Sequence, residues 1–264
     1  MTVQSGSHSG RTYVVTGAAS GIGAATVRWL RECGGRVVTS DLREADVIAD
    51  LAVAEGRRAL VDGAARIADR VDGIIANAGG GPVETMLALN FFGAVATIEG
   101  LRPMLGQNAP RAVLVSSASS LGPFDHGLVA ACLAGDEQRA MALGREAIAA
   151  GKSGLDLYGS AKHALNRWCR REAVKPQWAG RGAALNAIAF GVIETPAAAW
   201  ILNDAGAREQ MKKMAPMEGA NPGKAEQAAA LIGWCVSPEN SLMCGQILFA
   251  DGGIECLARG EATW

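Results

Sequence analysis

The chain has 264 residues, a hydrophobic fraction of 49% and only 19% charged residues, enough apolar side chain to fill one sizeable core and too little charge for a disordered segment. With 25 basic and 26 acidic residues the formal net charge is −1, which leaves no electrostatic footprint for nucleic acid or an anionic membrane. Cysteines 33, 132, 169, 235, 244 and 256 form no CxxC and no zinc-spaced Cys/His group, and His8, His126 and His163 are scattered; no metal site is expected, and the thiols read as reduced in a cytoplasmic protein.

Residues 1–10 are polar and Gly/Ser-rich, lack the charged-then-apolar order of a signal peptide, and read as a frayed tail. No apolar run reaches the roughly 18 residues needed to span a bilayer. From Thr12 on, short apolar runs alternate with longer helical stretches. Strands are expected at 12–16, 36–40, 46–49, 73–76, 112–115, 183–189 and 246–250, and helices at 22–33, 54–69, 83–104, 158–174 and 225–236. Continuous apolar strands separated by helices indicate βαβ units and a seven-stranded parallel sheet covered on both faces. The rhythm breaks over 118–157, where two helices at 127–134 and 136–150 read as an insertion. Residues 191–223 read as a loop with one or two short helices, and the tail from Gly252 has no clear period. There is no internal repeat or linker, so 1–264 forms one domain.

Thr16-Gly17-Ala18-Ala19-Ser20-Gly21-Ile22-Gly23 lies between the first strand and a helix. Glycines there let backbone N–H groups approach a pyrophosphate, and the helix N-terminus adds a favourable dipole. Asp41 ends the second strand, 18 residues beyond Gly23, where a carboxylate accepts hydrogen bonds from both adenine-ribose hydroxyls and repels a 2′-phosphate. Ser20 supplies no positive charge to offset that repulsion, so NAD is favoured over NADP, with Arg43 the one nearby group acting the other way. Asp50-Leu51 is placed to meet the adenine ring, although an ordinary N-cap is the plainer role for Asp50. Gly151-Lys152-Ser153 resembles the end of a P-loop, but the earlier glycine of that motif falls on Glu146, so the motif fails.

Tyr158-Gly-Ser-Ala-Lys162 opens the expected helix, and a spacing of four puts both side chains on one face. A phenol with a pKa of ~10 is a poor base at neutral pH. A neighbouring ammonium stabilises the phenolate, so Tyr158 can take a proton from an alcohol or return one. The fifth strand ends in Ser116-Ser117, at the edge of the sheet where ligands bind. Ser117 is the expected oxygen-binding hydroxyl, with Ser116 and Ser119 as one- and two-residue slips. Asn90, a polar amide inside an apolar helix, marks a kink or a buried water that could link Lys162 to solvent.

These motifs, with Asn77-Ala78-Gly79, Asn90-Phe-Phe-Gly93 and Asp251-Gly-Gly253, resemble the short-chain dehydrogenase/reductase family in type and order. The resemblance implies a Rossmann-type doubly wound α/β fold and a tetrad of Asn90, Ser117, Tyr158 and Lys162, with Lys162 also bonded to the nicotinamide ribose. It implies cofactor contacts from Gly17, Ser20, Gly21, Ile22, Gly23, Asn77, Ala78 and Gly79, and from Gly191, Val192, Ile193 and Thr195. Residues 39–51, the long insertion and Asp251-Gly-Gly-Ile254 resemble the 3α-hydroxysteroid dehydrogenase/carbonyl reductase branch, which implies that Asp41, Leu42, Asp50 and Leu51 hold the adenine end.

The chain departs from the family pattern in three places. Phe190-Gly191 stands where the family has Pro-Gly, which adds a ring near the nicotinamide. Asn77 to Asn90 is only 13 residues, and Ser117 to Tyr158 is 41 instead of about a dozen. Within the expected lid at 191–223, Trp200 and Met214, beside Met211 and Met217, would cover a hydrophobic substrate that Ser119 and Phe190 also touch, or would merely dock a short helix onto the core. No basic residue stands at an obvious cleft position except Arg111 and Lys212-Lys213, so a highly charged substrate is not demanded. The expectation is an NAD-dependent oxidoreductase of a hydroxysteroid, terpenoid or aryl secondary alcohol. The alternatives are a carbonyl reductase or dihydrodiol dehydrogenase with the same parts and, outside enzymes, a silent NAD-sensing scaffold. A homo-oligomer, dimer or tetramer, is expected, with the insertion obstructing one family interface.

Overall fold

The computed structural model describes residues 7–261. In chain order the elements are β1 (Thr12–Thr16), α1 (Gly21–Glu32), β2 (Arg36–Asp41), β3 (Val47–Ile48), α2 (Ala54–Ile67), β4 (Gly73–Ala76) and α3 (Ala94–Leu101). Then come β5 (Arg111–Ser117), α4 (His126–Ala134), α5 (Glu137–Ala149), α6 (Gly154–Ala173) and β6 (Ala184–Phe190). The remainder is β7 (Ile193–Glu194), α7 (Ala199–Leu202), α8 (Ala205–Met214), β8 (Gly223–Lys224), α9 (Ala225–Val236), β9 (Ile247–Ala250) and α10 (Ile254–Arg259). The sheet has seven parallel strands in the order β3-β2-β1-β4-β5-β6-β9, as expected for a doubly wound α/β fold. β7 and β8 form a separate parallel pair that their length hides in the sequence.

Alternation along the buried strands sorts side chains into two cores. Ala112 and Leu114 of β5 join the larger core under α2, α3 and α6, whereas Val113 and Val115 join the smaller one under α1 and α9. α1 and α9 are themselves in close contact. A Cβ on Gly233 would lie 2.1 Å from the Trp29 ring, so only glycine lets these helices meet there.

Several boundaries move for identifiable reasons. β3 is two residues long because the Asp46 carboxylate accepts the Thr39 N–H and hydroxyl at 2.9 and 2.8 Å and makes a turn of what was expected as strand. α6 begins a turn before Tyr158, since Ser153 and Asp156 form a reciprocal capping box. The helix expected over 83–104 is broken, with a π-helical turn at Ala88–Gly93 ahead of α3. The inserted helices α4 and α5 start on Asp125 and Asp136, whose carboxylates cap the N–H groups of Leu128 and Arg139. α10 was missed; Asp251 caps it by accepting from Gly253 and Glu255 at 2.9 Å each.

The expected tail divides. Residues 1–6 lie outside the described residues, but His8 is buried, bonded through Nδ1 to the Tyr13 hydroxyl at 2.7 Å and edge-on to Trp29. A phenol buried in a strand needs a polar partner, and His8 supplies one. Arg111, at the opposite end of β5 from Ser117, is also structural: it is buried and donates to the carbonyls of Pro110, Gly182 and Asn240. Among the described residues no helix is long and apolar enough to cross a membrane, and no group of three or more His, Cys, Asp or Glu side chains is placed to hold a metal.

The α1–α9 contact gives a stability test. Gly233→Ala should destabilise the fold by about 1–3 kcal/mol through overpacking against Trp29. Gly180→Ala, whose Cβ would meet only Pro176 at 3.5 Å, should be close to neutral. Equal denaturant midpoints for the two variants would contradict this account of the contact.

Candidate active site

The site lies along the carboxyl ends of β1, β2, β4, β5 and β6. Gly17 and Gly21 adopt positive φ, 65° and 52°, and turn the chain back from β1 into α1. A Cβ on Gly23 would fall 1.9 Å from the Gly17 carbonyl oxygen and 2.7 Å from Asn77 Nδ2, so α1 starts directly against β1 and β4. Asn77 Nδ2 donates to the carbonyls of Thr16 and Gly17 at 3.0 and 3.1 Å. The Thr16 hydroxyl accepts the N–H groups of Asn77 and Ala78, both at 3.1 Å. Thr16 is part of the glycine motif, but only the fold shows that it joins the loop after β1 to the loop after β4.

Asp41 sits beside this loop, its carboxylate accepting from Ala19 and Leu42 at 2.9 and 2.7 Å. The side chain of Leu42 is exposed. Asp50 is exposed and caps the turn to Ala52, the plainer role weighed for it, while Leu51 is buried. Thr195 reaches the loop from the other side: a Cβ on Gly21 would lie 2.9 Å from its Cγ2. Gly17, Ser20, Gly21, Ile22, Asp41 and Thr195 therefore share one crest, with Gly23 packed beneath it. Gly191 is held by its N–H on the Ala250 carbonyl, and Val192 by its N–H on Asn221 Oδ1. Asn221 was missed. It is buried, and its Nδ2 donates to Met211 at 2.7 Å, so one amide ties the 191–195 strip to α8. This donor-rich glycine crest, with a carboxylate at one end, fits a dinucleotide.

Ser117, Tyr158 and Lys162 come together next to the crest. The Ser117 hydroxyl lies beside the Tyr158 phenol and accepts the Ser119 N–H at 3.2 Å. Ser116 is buried, and its Oγ finds no partner among the described residues, so Ser117 is the serine in contact with Tyr158. The Ser119 Oγ is likewise buried and unpartnered among the described residues. Lys162 Nζ lies 5.5 Å from the centre of the Tyr158 ring and donates to the Val115 carbonyl at 2.8 Å. Burial pulls the Lys162 ammonium down to about 8. Burial also raises the Tyr158 phenol, an effect that the neighbouring Ser117 hydroxyl opposes in part. The lowered phenol expected from the Tyr–Lys spacing is thus not what these side chains alone produce.

Asn90 is fully buried in the π-helical turn. Its Nδ2 donates to the carbonyls of Gly80 and Met86 at 3.0 and 2.8 Å, and its Oδ1 accepts the Gly80 N–H. A Cβ on Gly79 would meet Asn90 Oδ1 at 2.9 Å and Lys162 Nζ at 3.6 Å, so Asn90 and Lys162 flank the same backbone. The substrate residues fare differently. Phe190 is 4% exposed and packs in the smaller core with Val115, Ile188 and Ile232, so its ring is a core side chain and not a cleft wall. Trp200 and Met214 are 62% and 55% exposed on α7 and α8, away from any core.

A family model described as enoyl-(acyl carrier protein) reductase matches residues 140–255. The chain is 36% identical over 255 residues to the 3-alpha-hydroxysteroid dehydrogenase/carbonyl reductase of Comamonas testosteroni, across 93% of this chain and 97% of that one. It is 31% identical over 264 residues to the cis-4-hydroxycyclohexanecarboxylate dehydrogenase of Sinomonas cyclohexanicum, across 92% and 96%. The crystal structure of the 3-alpha-hydroxysteroid dehydrogenase from Pseudomonas sp. B-0831 complexed with NADH superposes with a TM-score of 0.83 at 33% identity, covering 95% of this chain and 99% of that one. Strand order, the Ser117–Tyr158–Lys162 cluster and full-length identity agree: the chain belongs to the short-chain dehydrogenase/reductase family, on the side of the 3α-hydroxysteroid dehydrogenase/carbonyl reductases.

Proposed function

We propose that the protein is an NAD-dependent oxidoreductase that interconverts a hydrophobic secondary alcohol (a hydroxysteroid, terpenoid or aryl alcohol) and its ketone. The observation that carries this reading is the convergence of the Ser117 hydroxyl, the Tyr158 phenol and the Lys162 ammonium beside the glycine crest. The relatives named above act on ring alcohols or ketones, which supports the substrate class. Asp41 at the end of β2 supports NAD over NADP, because its carboxylate would oppose a 2′-phosphate.

When bound, the nicotinamide ring supplies the hydride acceptor for oxidation and the donor for reduction. Gly17, Ser20, Gly21, Ile22 and Gly23 would hold the pyrophosphate, Asp41, Leu42, Asp50 and Leu51 the adenosine, and Asn77, Ala78, Gly79, Gly191, Val192, Ile193 and Thr195 the nicotinamide half. Ser117 holds the substrate oxygen and orients it towards Tyr158. Tyr158 takes the alcohol proton during oxidation and returns it during reduction. Lys162 favours the phenolate electrostatically, and Asn90 keeps the backbone at Gly79 and Gly80 in place beside it. Trp200 and Met214, exposed on short helices beside the strip that would hold the nicotinamide, suit a lid over an apolar substrate. Phe190 is left out of the substrate set because its ring is in the core.

A homo-oligomer goes with this reading. β9 leaves one edge of the sheet open with its four residues half-buried, and Trp234 and Leu242, on the helix and loop before it, are exposed.

The test is a screen with NAD and NADP over steroid, terpene and aryl alcohols, read as reduced-cofactor absorbance. NAD-linked turnover is expected, and silence across all three classes would sink the substrate assignment. Tyr158→Phe should lower kcat by about 100-fold or more while NADH binding persists; unchanged biological function in that variant would instead favour a silent NAD sensor. Oxidation needs the phenolate and burial raises the Tyr158 pKa, so oxidation should accelerate as pH rises above neutral. Reduction needs the neutral phenol and should be flat near neutrality and fall on the alkaline side. Oxidation that slows, or reduction that speeds up, as pH rises would remove Tyr158 from the proton step. Light scattering should give a mass of at least twice 27.2 kDa.

A further inference from the structure

Arg57 lies in the first turn of α2, and its side chain is only 12% exposed. A guanidinium carries five N–H groups in a rigid fork, and burying it is costly unless they find acceptors. Its Nε donates to the Leu51 carbonyl at 2.8 Å. One terminal nitrogen donates to Glu137 Oε2 at 2.6 Å. The other reaches Glu137 Oε1 at 2.7 Å, the Ala88 carbonyl at 3.1 Å and the Ala52 carbonyl at 3.2 Å. These acceptors belong to three separate parts of the chain. Leu51 and Ala52 form the turn after β3, Ala88 starts the π-helical turn that contains Asn90, and Glu137 starts the inserted helix α5.

A surface ion pair would need only the carboxylate. Here three backbone carbonyls are gathered as well, and they belong to the two turns that the proposed chemistry uses. The turns also touch directly: a Cβ on Gly93 would lie 2.8 Å from the Leu51 carbonyl oxygen, which is therefore confined between Arg57 and the π-helical turn. Asn90, in that same turn, fixes Gly80. We propose that Arg57, held by Glu137 of the insertion, is a positioning residue that locks the adenine-side turn to the turn carrying Asn90. This rests on the NAD-dependent reading given above. The insertion then acts on the site at a distance, by supplying the carboxylate that orients the fork. Lysine cannot substitute, because a single ammonium has three donors at one point and cannot span the three segments.

The test uses the full-length protein, ADP-ribose and NADH as probes, and amide hydrogen exchange. Arg57→Lys should weaken ADP-ribose and NADH about tenfold, the equivalent of one charge-assisted hydrogen bond. It should also raise exchange at residues 50–53 and 86–93, and lower kcat together with the rise in KM for NAD. Glu137→Gln, which keeps the shape and loses the charge, should give a smaller loss of the same kind. Arg58→Gln, which breaks an exposed pair with Glu55, should change none of these. If Arg57→Lys lowers Tm but keeps wild-type affinity and exchange in the folded protein, Arg57 is only a structural tie and the proposal falls. Should Arg57→Lys not fold, Glu137→Gln carries the same comparison. If the wild-type protein binds neither NADH nor NADPH, the NAD reading fails separately. Exchange at 50–53 and 86–93 then decides the role of Arg57, and unchanged exchange overturns it.

Discussion

The active-site end of the molecule depends on how α6 is seated against β5, and the hydrogen bond from Lys162 to the Val115 carbonyl sets that seating. The bond is made by a buried ammonium, so it holds a costly charge in place. With it formed, Tyr158, one turn earlier, lies over the end of β5 and meets Ser117. The same ammonium comes close to the backbone at Gly79, which Asn90 steadies from the other side. One interaction thus joins a helix, a strand end and the loop after β4. The cost appears in Lys162 itself, whose affinity for its proton is reduced. A displaced side chain there would remove this tie from the first turns of α6, and the Ser117–Tyr158 contact would lose one of its anchors.

Chemistry carried by neighbours in the chain was legible in the sequence. The glycine loop, the Tyr158–Lys162 spacing and the serines ending β5 are all local, and the buried strands announce themselves as apolar runs. The two inserted helices were also visible as helical stretches at 127–134 and 136–150, and the fold shows Asp125 and Asp136 capping them. Features that depend on residues meeting across the fold were not legible. The π-helical turn carries Asn90, which bonds to Gly80 across a loop whose path is set by the sheet, whereas the apolar run alone reads as one helix. Phe190 was placed in the cleft by analogy with the proline it replaces, yet strand alternation turns it into the core beside Val115 and Ile188. Asn221 and Arg57 act through backbone carbonyls and N–H groups, which leave no compositional trace.

Ser153 shows how local patterns mislead. In the sequence it completes something close to a phosphate-binding loop, but in the fold it opens α6 through its box with Asp156. The length of the insertion gains meaning in the same way. Its helix α4 packs against α6, α5 packs against α4 and the π-helical turn, and the first residue of α5 reaches Arg57. The segment that lengthens the Ser117–Tyr158 gap is therefore part of the body that holds both cofactor-side turns, and not an appendage on it.

The burial of His8 has a practical consequence. The first strand begins at Thr12, and a truncation designed from the strand boundary would keep the whole sheet intact on paper. It would also remove the imidazole that satisfies Tyr13 and packs edge-on to Trp29, the ring that fills the gap left by Gly233. The α1–α9 layer would then lose its outer support, although every residue of both helices remained. Tags and cleavage sites should be placed ahead of residue 7, because the folded unit begins earlier than its regular secondary structure.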